Sequence, residues 1–93
     1  MDFSGFDWDA GNRVKCQKHG VSLSEIEWVL QHGAVAPDLV HSMTEQRFIA
    51  VGRTREGRPA FVAFTLRVKE GQWLARPFSA RYMHAKEARR YGQ

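Results

Sequence analysis

Four arginines border or interrupt apolar runs in the second half of the chain: Arg47 before FIAVG, Arg67 after AFTL, Arg76 within WLARPF and Arg81 after FSA. A guanidinium carries five N–H donors in a planar fork, so arginines on a strand face suit bidentate contact with phosphate or carboxylate. Further on, His84, Glu87 and Tyr91 follow at i, i+3 and i+7, which places an imidazole, a carboxylate and a phenol on one side of a helix. Each of these groups can move a proton or contact phosphate. Lys86 and Arg90 fall on the other side of that helix and read as solvated charge. A plainer reading stands beside the chemical one. An arginine can lay its stem on a core edge or pair with a glutamate such as Glu45. Glu87 can pair with Arg81 and pin the helix to the sheet, with Tyr91 packed as core.

Other chemistries find no support in the residues. The four histidines, His19, His32, His41 and His84, form no HxxxH pair and have no carboxylate at ligand spacing, so no metal site is expected. Neither G-x-x-x-x-G-K-[ST] nor G-x-G-x-x-G occurs, so no nucleotide cofactor is expected. Cys16 is the only cysteine, which excludes an internal disulfide and suits a reducing cytoplasm. It reads as an inert, partly buried thiol. No apolar run is long enough to cross a bilayer, and MDFSGFDWDAGNR has no secretory pattern.

Charge is unevenly spread. Met1–Glu45 has three basic and seven acidic residues, and Gln46–Gln93 has eleven basic and three acidic, so halves of −4 and +8 make the net +4. The positive half suits a polyanion, of which nucleic acid is the commonest in cytoplasm.

The elements that must position these groups follow from local pattern. The 93 residues suit one domain, 1–93. FSGFDW alternates as a short strand over Phe3–Trp8, and Asp9 is placed to cap a helix over Ala10–Lys18. Ser22 and Glu25 have capping-box spacing before Leu23, Ile26, Val29 and Leu30, and Gly33 stops that second helix. Val14 and Trp28 join these as expected core. Val35–Val40 suits an edge strand because of Pro37. Arg47–Gly52, Pro59–Val68 and GQWLARPFSA form a meander through turns at Gly57 and Glu70-Gly71. Met83–Tyr91 is expected to be helical. The order β-α-α-β-β-β-β-α gives an α+β fold: an antiparallel sheet of about four strands, two N-terminal helices and one C-terminal helix. Alternation sets Arg47 with Ile49 and Val51, and Arg67 with Thr65 and either Phe61 or Ala63.

In order along nearly the whole chain, several short motifs resemble the BrnT toxins. They are Phe6, Trp8, Asp9 and Asn12; KHGV at Lys18–Val21; E-x-R-F at Glu45–Phe48; Gly52; F-T-x-R at Phe64–Arg67; S-A-R at Ser79–Arg81; and Glu87 and Tyr91. The resemblance implies a RelE-like fold, a ribonuclease that suppresses translation, and a ribbon-helix-helix antitoxin, BrnA, that also binds operator DNA. The family ends on an arginine-dense SARRAT followed by more arginines, whereas S-A-R-Y-M-H stands here: either Tyr82 and His84 substitute for arginines in RNA contact, or this branch has a different activity.

On that footing the expected reaction is attack of the ribose 2′-hydroxyl on the adjacent phosphorus, without metal or cofactor, leaving a 2′,3′-cyclic phosphate. Arg47, Arg67 and Arg81 are assigned to the phosphate. Lys18, His19, His84 and Tyr91 are candidates for proton transfer, with Glu87 as orienter or base. Lys18-His19 equally serves as the favoured cationic end of a helix. Arg53, Arg76, Tyr82 and Lys86 are further RNA-binding candidates. The alternative is a non-catalytic protein whose basic sheet holds RNA or an acidic antitoxin segment.

Overall fold

The computed structural model describes residues 2–41 and 44–93. Asp9 opens the first helix, α1 (Ala10–Cys16), through a capping box: its carboxylate accepts from the Asn12 N–H, and its own N–H donates to Asn12 Oδ1. The Asn12 amide then donates from Nδ2 to the carbonyls of Asp7 and Pro77, each at 2.9 Å. This buried side chain thereby joins the helix start to the sheet. The helix stops at Cys16, earlier than Lys18, as the backbone turns through Gly20 at φ +91°. Ser22 and Glu25 form the second capping box, opening α2 (Leu23–His32).

The strands are β1 (Gly5–Phe6), β2 (Ala34–Asp38), β3 (Arg47–Arg53), β4 (Pro59–Lys69) and β5 (Gln72–Tyr82), and a last helix, α3, spans Ala85–Arg90. Five strands therefore replace the four expected, in the order β1-β5-β4-β3-β2. The sheet is mixed, because two-residue β1 lies parallel to β5 while the others pair antiparallel. Local alternation overstates β1 and carries no information about a partner nearly seventy residues away, seen in Ser4 N–H to Trp73 O at 2.8 Å. Glu70 (φ +52°) and Gly71 (φ +75°) both take the left-handed conformation in the two-residue β4–β5 turn.

Alternation gives the sheet two distinct faces. Phe48, Ala50, Val62, Phe64 and Ala80 meet Cys16 of α1, Val21 of the connection, and Ile26 and Val29 of α2 in the main core. At the end of α2, Gly33 is essential to this contact: an added Cβ would lie 2.6 Å from the carbonyl oxygens of both Val29 and Val51. Val14 does not join the core. It is 74% exposed, because seven-residue α1 turns Asn12 and Cys16 inward instead. Trp28 is only partly buried.

The second face carries Arg47, Ile49 and Val51 on β3, Phe61, Ala63, Thr65 and Arg67 on β4, and their partners on β5. There α3 covers one end through Ala88, which packs with Val51, Met83, Ile49 and Phe61. The helix starts two residues later than Met83 because the Met83 N–H is held by Pro59 O at 2.9 Å. Register slips once on this sheet: Ala63 faces Ser79 but Phe64 faces Pro77, which leaves Phe78 as an extra residue on β5.

Candidate RNA-binding face

The second sheet face holds two cationic hollows, and the strand register separates them. Arg81 lies opposite Phe61, whereas Arg76 lies opposite Thr65. Those β4 positions are four residues apart, about 13 Å at the usual rise of a strand. One phosphate therefore does not touch both rows.

At the α3 end, Arg81, His84, Lys86, Glu87 and Arg90 line an open hollow. Arg81 donates from Nη1 to Glu87 Oε1 at 2.6 Å and from Nη2 to Oε2 at 2.9 Å, a fork-to-fork pair. This pair is the clamp between sheet and helix that the plainer reading of Glu87 anticipated. The hydrogen bonds from Arg81 hold the Glu87 carboxyl below its ordinary pKa, and the same bonds raise the Arg81 guanidinium. Glu87 is thus a stable anion and a poor proton acceptor near neutrality. The Phe61 ring lies beneath, 4.6 Å from the Arg81 guanidinium carbon and 6.4 Å from the Tyr91 ring.

Helical geometry divided the C-terminal residues differently. His84 is the N-cap, with extended backbone, rather than a helical residue. Lys86 and Arg90 share the hollow with His84 and Glu87 instead of occupying a separate side. Tyr91 is the C-cap; it packs by Phe61, remains 43% exposed, and helps line an apolar depression with Ile49, Val51 and Pro37.

Toward the opposite end, Lys15, Glu45, Arg47, Arg67, Arg76 and Phe78 line the second hollow. Arg67 meets both Glu45 oxygens at 2.8 Å and the Thr65 hydroxyl at 3.1 Å, all from Nη1. Arg76 donates to Asp7 at 3.3 Å and Asp9 at 2.7 Å, and Lys69 donates to the other Asp7 oxygen at 2.9 Å. The Lys69 hydrogen bond is the main cause of a depressed Asp7 pKa, while the Asp9 hydrogen bond chiefly raises that of Arg76. Phe78, exposed to this face by the bulge, lies 4.9 Å from the Arg47 guanidinium carbon and 5.9 Å from Lys15 Nζ.

The remaining candidates lie elsewhere. Tyr82 alternates onto the helix-covered face, where its hydroxyl donates to Glu25 at 2.7 Å and to Gly20 O at 3.4 Å. Arg58 covers its ring at 3.4 Å. Lys18 and His19, just before Gly20, are exposed beside that same face rather than with Arg81. Arg53 ends β3 and donates to Gly57 O at 2.8 Å, closing the β3–β4 turn. Phe78, Lys15 and Arg90 line the hollows, and Phe61 lies beneath Arg81, although sequence reading did not place them there. Strand alternation was the available signal for Phe61; the bulge that exposes Phe78 had none.

Among the described residues, no three His, Cys, Asp or Glu side chains gather as a metal site, and no helix is long and apolar enough to cross a membrane. Fold and site define a small α+β domain with arginines arrayed for oxyanions on one sheet face. The family model described as the ribonuclease toxin, BrnT, of type II toxin–antitoxin systems matches residues 8–87. The chain belongs to this BrnT family, which implies an RNA substrate and an antitoxin partner. No curated protein matches the chain.

Proposed function

We propose that this chain is a metal-independent endoribonuclease of RelE-like fold that inhibits translation in the cytoplasm and is neutralised by a BrnA-like antitoxin. The observation that carries the catalytic reading is the convergence of Arg81, His84, Lys86, Glu87 and Arg90 on one open hollow. In the proposed step, His84 takes the 2′-hydroxyl proton as the 2′-oxygen–phosphorus bond forms. The phosphorus–5′-oxygen bond breaks, and the 5′-oxygen leaves with a proton from the phenol of Tyr91, which flanks the hollow through the Phe61 ring that it shares with Arg81. The products are a 2′,3′-cyclic phosphate and a 5′-hydroxyl. Arg81 keeps three N–H groups beyond the two bound to Glu87, and these stabilise the pentacoordinate phosphorane with help from Lys86 and Arg90. Glu87 positions Arg81 rather than acting as base, in keeping with its depressed pKa. Arg47, Arg67 and Arg76 bind RNA away from the reacting phosphate. Lys18, His19 and Tyr82 take no part in this step.

Cleavage of single-stranded RNA, with and without EDTA, tests the proposal. Cyclic-phosphate ends should form in both conditions and be lost with Arg81→Ala and His84→Ala. Abolition by EDTA, or full activity of Arg81→Ala, would overturn it. A second reading rests on the carboxylate already held by each of Arg67, Arg76 and Arg81. Such sites also suit an acidic antitoxin segment, so the chain would be a non-catalytic partner-binding subunit. Expression without a partner separates the readings: growth arrest supports the toxin, and harmless expression supports the subunit.

A further inference from the structure

We propose that the hollow of Lys15, Glu45, Arg47, Arg67, Arg76 and Phe78 is a second phosphate subsite, in which the Glu45 carboxylate occupies Arg67 until an RNA phosphate displaces it. This rests on the ribonuclease reading only in naming RNA as the polymer.

Glu45 shows what the hollow accepts: an oxyanion with both oxygens 2.8 Å from Arg67 Nη1. The Arg67–Glu45 pair is also exposed, with 37% and 49% of the two side chains accessible, so water competes for it and it contributes little. Among the described residues, no hydrogen bond of Arg67 to protein leaves from Nε or Nη2. That edge gives an incoming phosphate its first contact before Glu45 leaves Nη1, while Thr65 and the Leu66 carbonyl hold the guanidinium in place. Phe78 gives Arg47 and Lys15 a common aromatic support, which keeps both cations at the hollow.

The two hollows occupy one face of β4 and β5, with the Arg76 and Arg67 rows about 13 and about 20 Å from the Arg81 row along the strands. A ligand with anions at regular intervals engages both, and a nucleic-acid backbone has that property. Phosphates held in the two hollows belong to different nucleotides. The second hollow therefore strengthens binding of an extended single strand without touching the scissile bond.

The test is equilibrium binding of a single-stranded oligodeoxynucleotide, which lacks the 2′-hydroxyl and cannot be cut by the proposed route, at several salt concentrations. Arg67→Ala should weaken binding roughly tenfold, as expected for loss of a charged hydrogen bond. It should also reduce the magnitude of the log–log salt slope by about 0.7, the loss of one phosphate contact. Glu45→Gln, an exposed substitution with no core role, should tighten binding about two- to fivefold by removing the competing anion. Unchanged affinity and slope in both variants, with wild-type RNA cleavage intact, would overturn the subsite and leave the ribonuclease reading standing. Both shifts without any RNA cleavage would support the subsite while removing that reading. Unchanged oligonucleotide binding with lost antitoxin binding would assign the hollow to the protein partner and overturn the proposal.

Discussion

Replacing Glu87 by glutamine separates the two roles a carboxylate can have at this site. Gln keeps the shape and one acceptor oxygen but loses the charge that faces Arg81 at 2.6 and 2.9 Å. Arg81 is 41% exposed and Glu87 24%, so solvent screens the pair more than a buried one. Its bidentate geometry places it toward the top of the exposed range, at about 1 kcal/mol of coupling. A double-mutant cycle of Arg81→Ala and Glu87→Ala in urea should return that coupling near pH 7. Because Glu87 has a depressed folded pKa, the contribution is complete above its ordinary unfolded value and disappears as pH falls through the lower folded one. The coupling should therefore vanish in strong acid.

Catalysis gives the sharper result. An orienting carboxylate should leave Glu87→Gln with about a tenth of wild-type cleavage and an unchanged pH profile. A general base would instead cost about 100- to 10,000-fold. His84→Ala should show that larger loss. A Glu87→Gln enzyme as impaired as His84→Ala, or one whose acid limb has moved, would refute the assignment of Glu87 as a positioning group.

Asn12→Asp should destabilise the fold by about 3 kcal/mol or more, since it replaces a donor to two buried carbonyls with a carboxylate; urea unfolding measures it. Gly33→Ala should cost about 2 kcal/mol or more, because its Cβ meets two backbone carbonyl oxygens, and thermal unfolding should show a lower Tm. Asp7 also has a depressed pKa, so its share of stability is present above the ordinary carboxylate range and lost as pH falls through the folded value. Asp7→Asn should accordingly flatten the acid side of a Tm-against-pH curve. Burial pushes the Cys16 thiol up to about 11, so it should resist a thiol reagent at pH 8 in the native protein and react once urea unfolds it.

The parts of the fold legible in the sequence were those with short-range causes. Asp9 and Ser22 announce their helices through side chains only three residues away, and the β-branched runs of β3 and β4 need no partner to be read. Val14 misled because apolarity was read without the helix's orientation, which the polar Asn12 sets by reaching Pro77 O. Asn12 thus belongs to the resemblance as a residue of the fold rather than of the site. The two hollows depended on register. No local pattern states that Phe64 faces Pro77 and displaces Phe78, or that Lys15 from the first helix reaches the same ring as Arg47. The C-terminal face was partly legible: Glu87 and Arg81 were named together, but His84 and Tyr91 cap the helix at its two ends instead of lying within it.

Exposure finally distinguishes arginines that residue type alone makes equivalent. Arg76 is 26% exposed and held by two aspartates, one of them nearly buried. Removing it would leave Asp7 to Lys69 alone and take from Asp9 its cation, so its first role is to fix the junction of β1 and α1. Arg67 lies at the other extreme, tied among the described residues only to a solvent-facing glutamate and to fixed oxygens of its own strand. Exchange of Glu45 for another oxyanion there leaves the core untouched. Arg81 lies between them: its partner fastens α3 to the sheet, yet the guanidinium still opens into the hollow. An acidic ligand therefore gains most easily at Arg67 and must share Arg81 with Glu87.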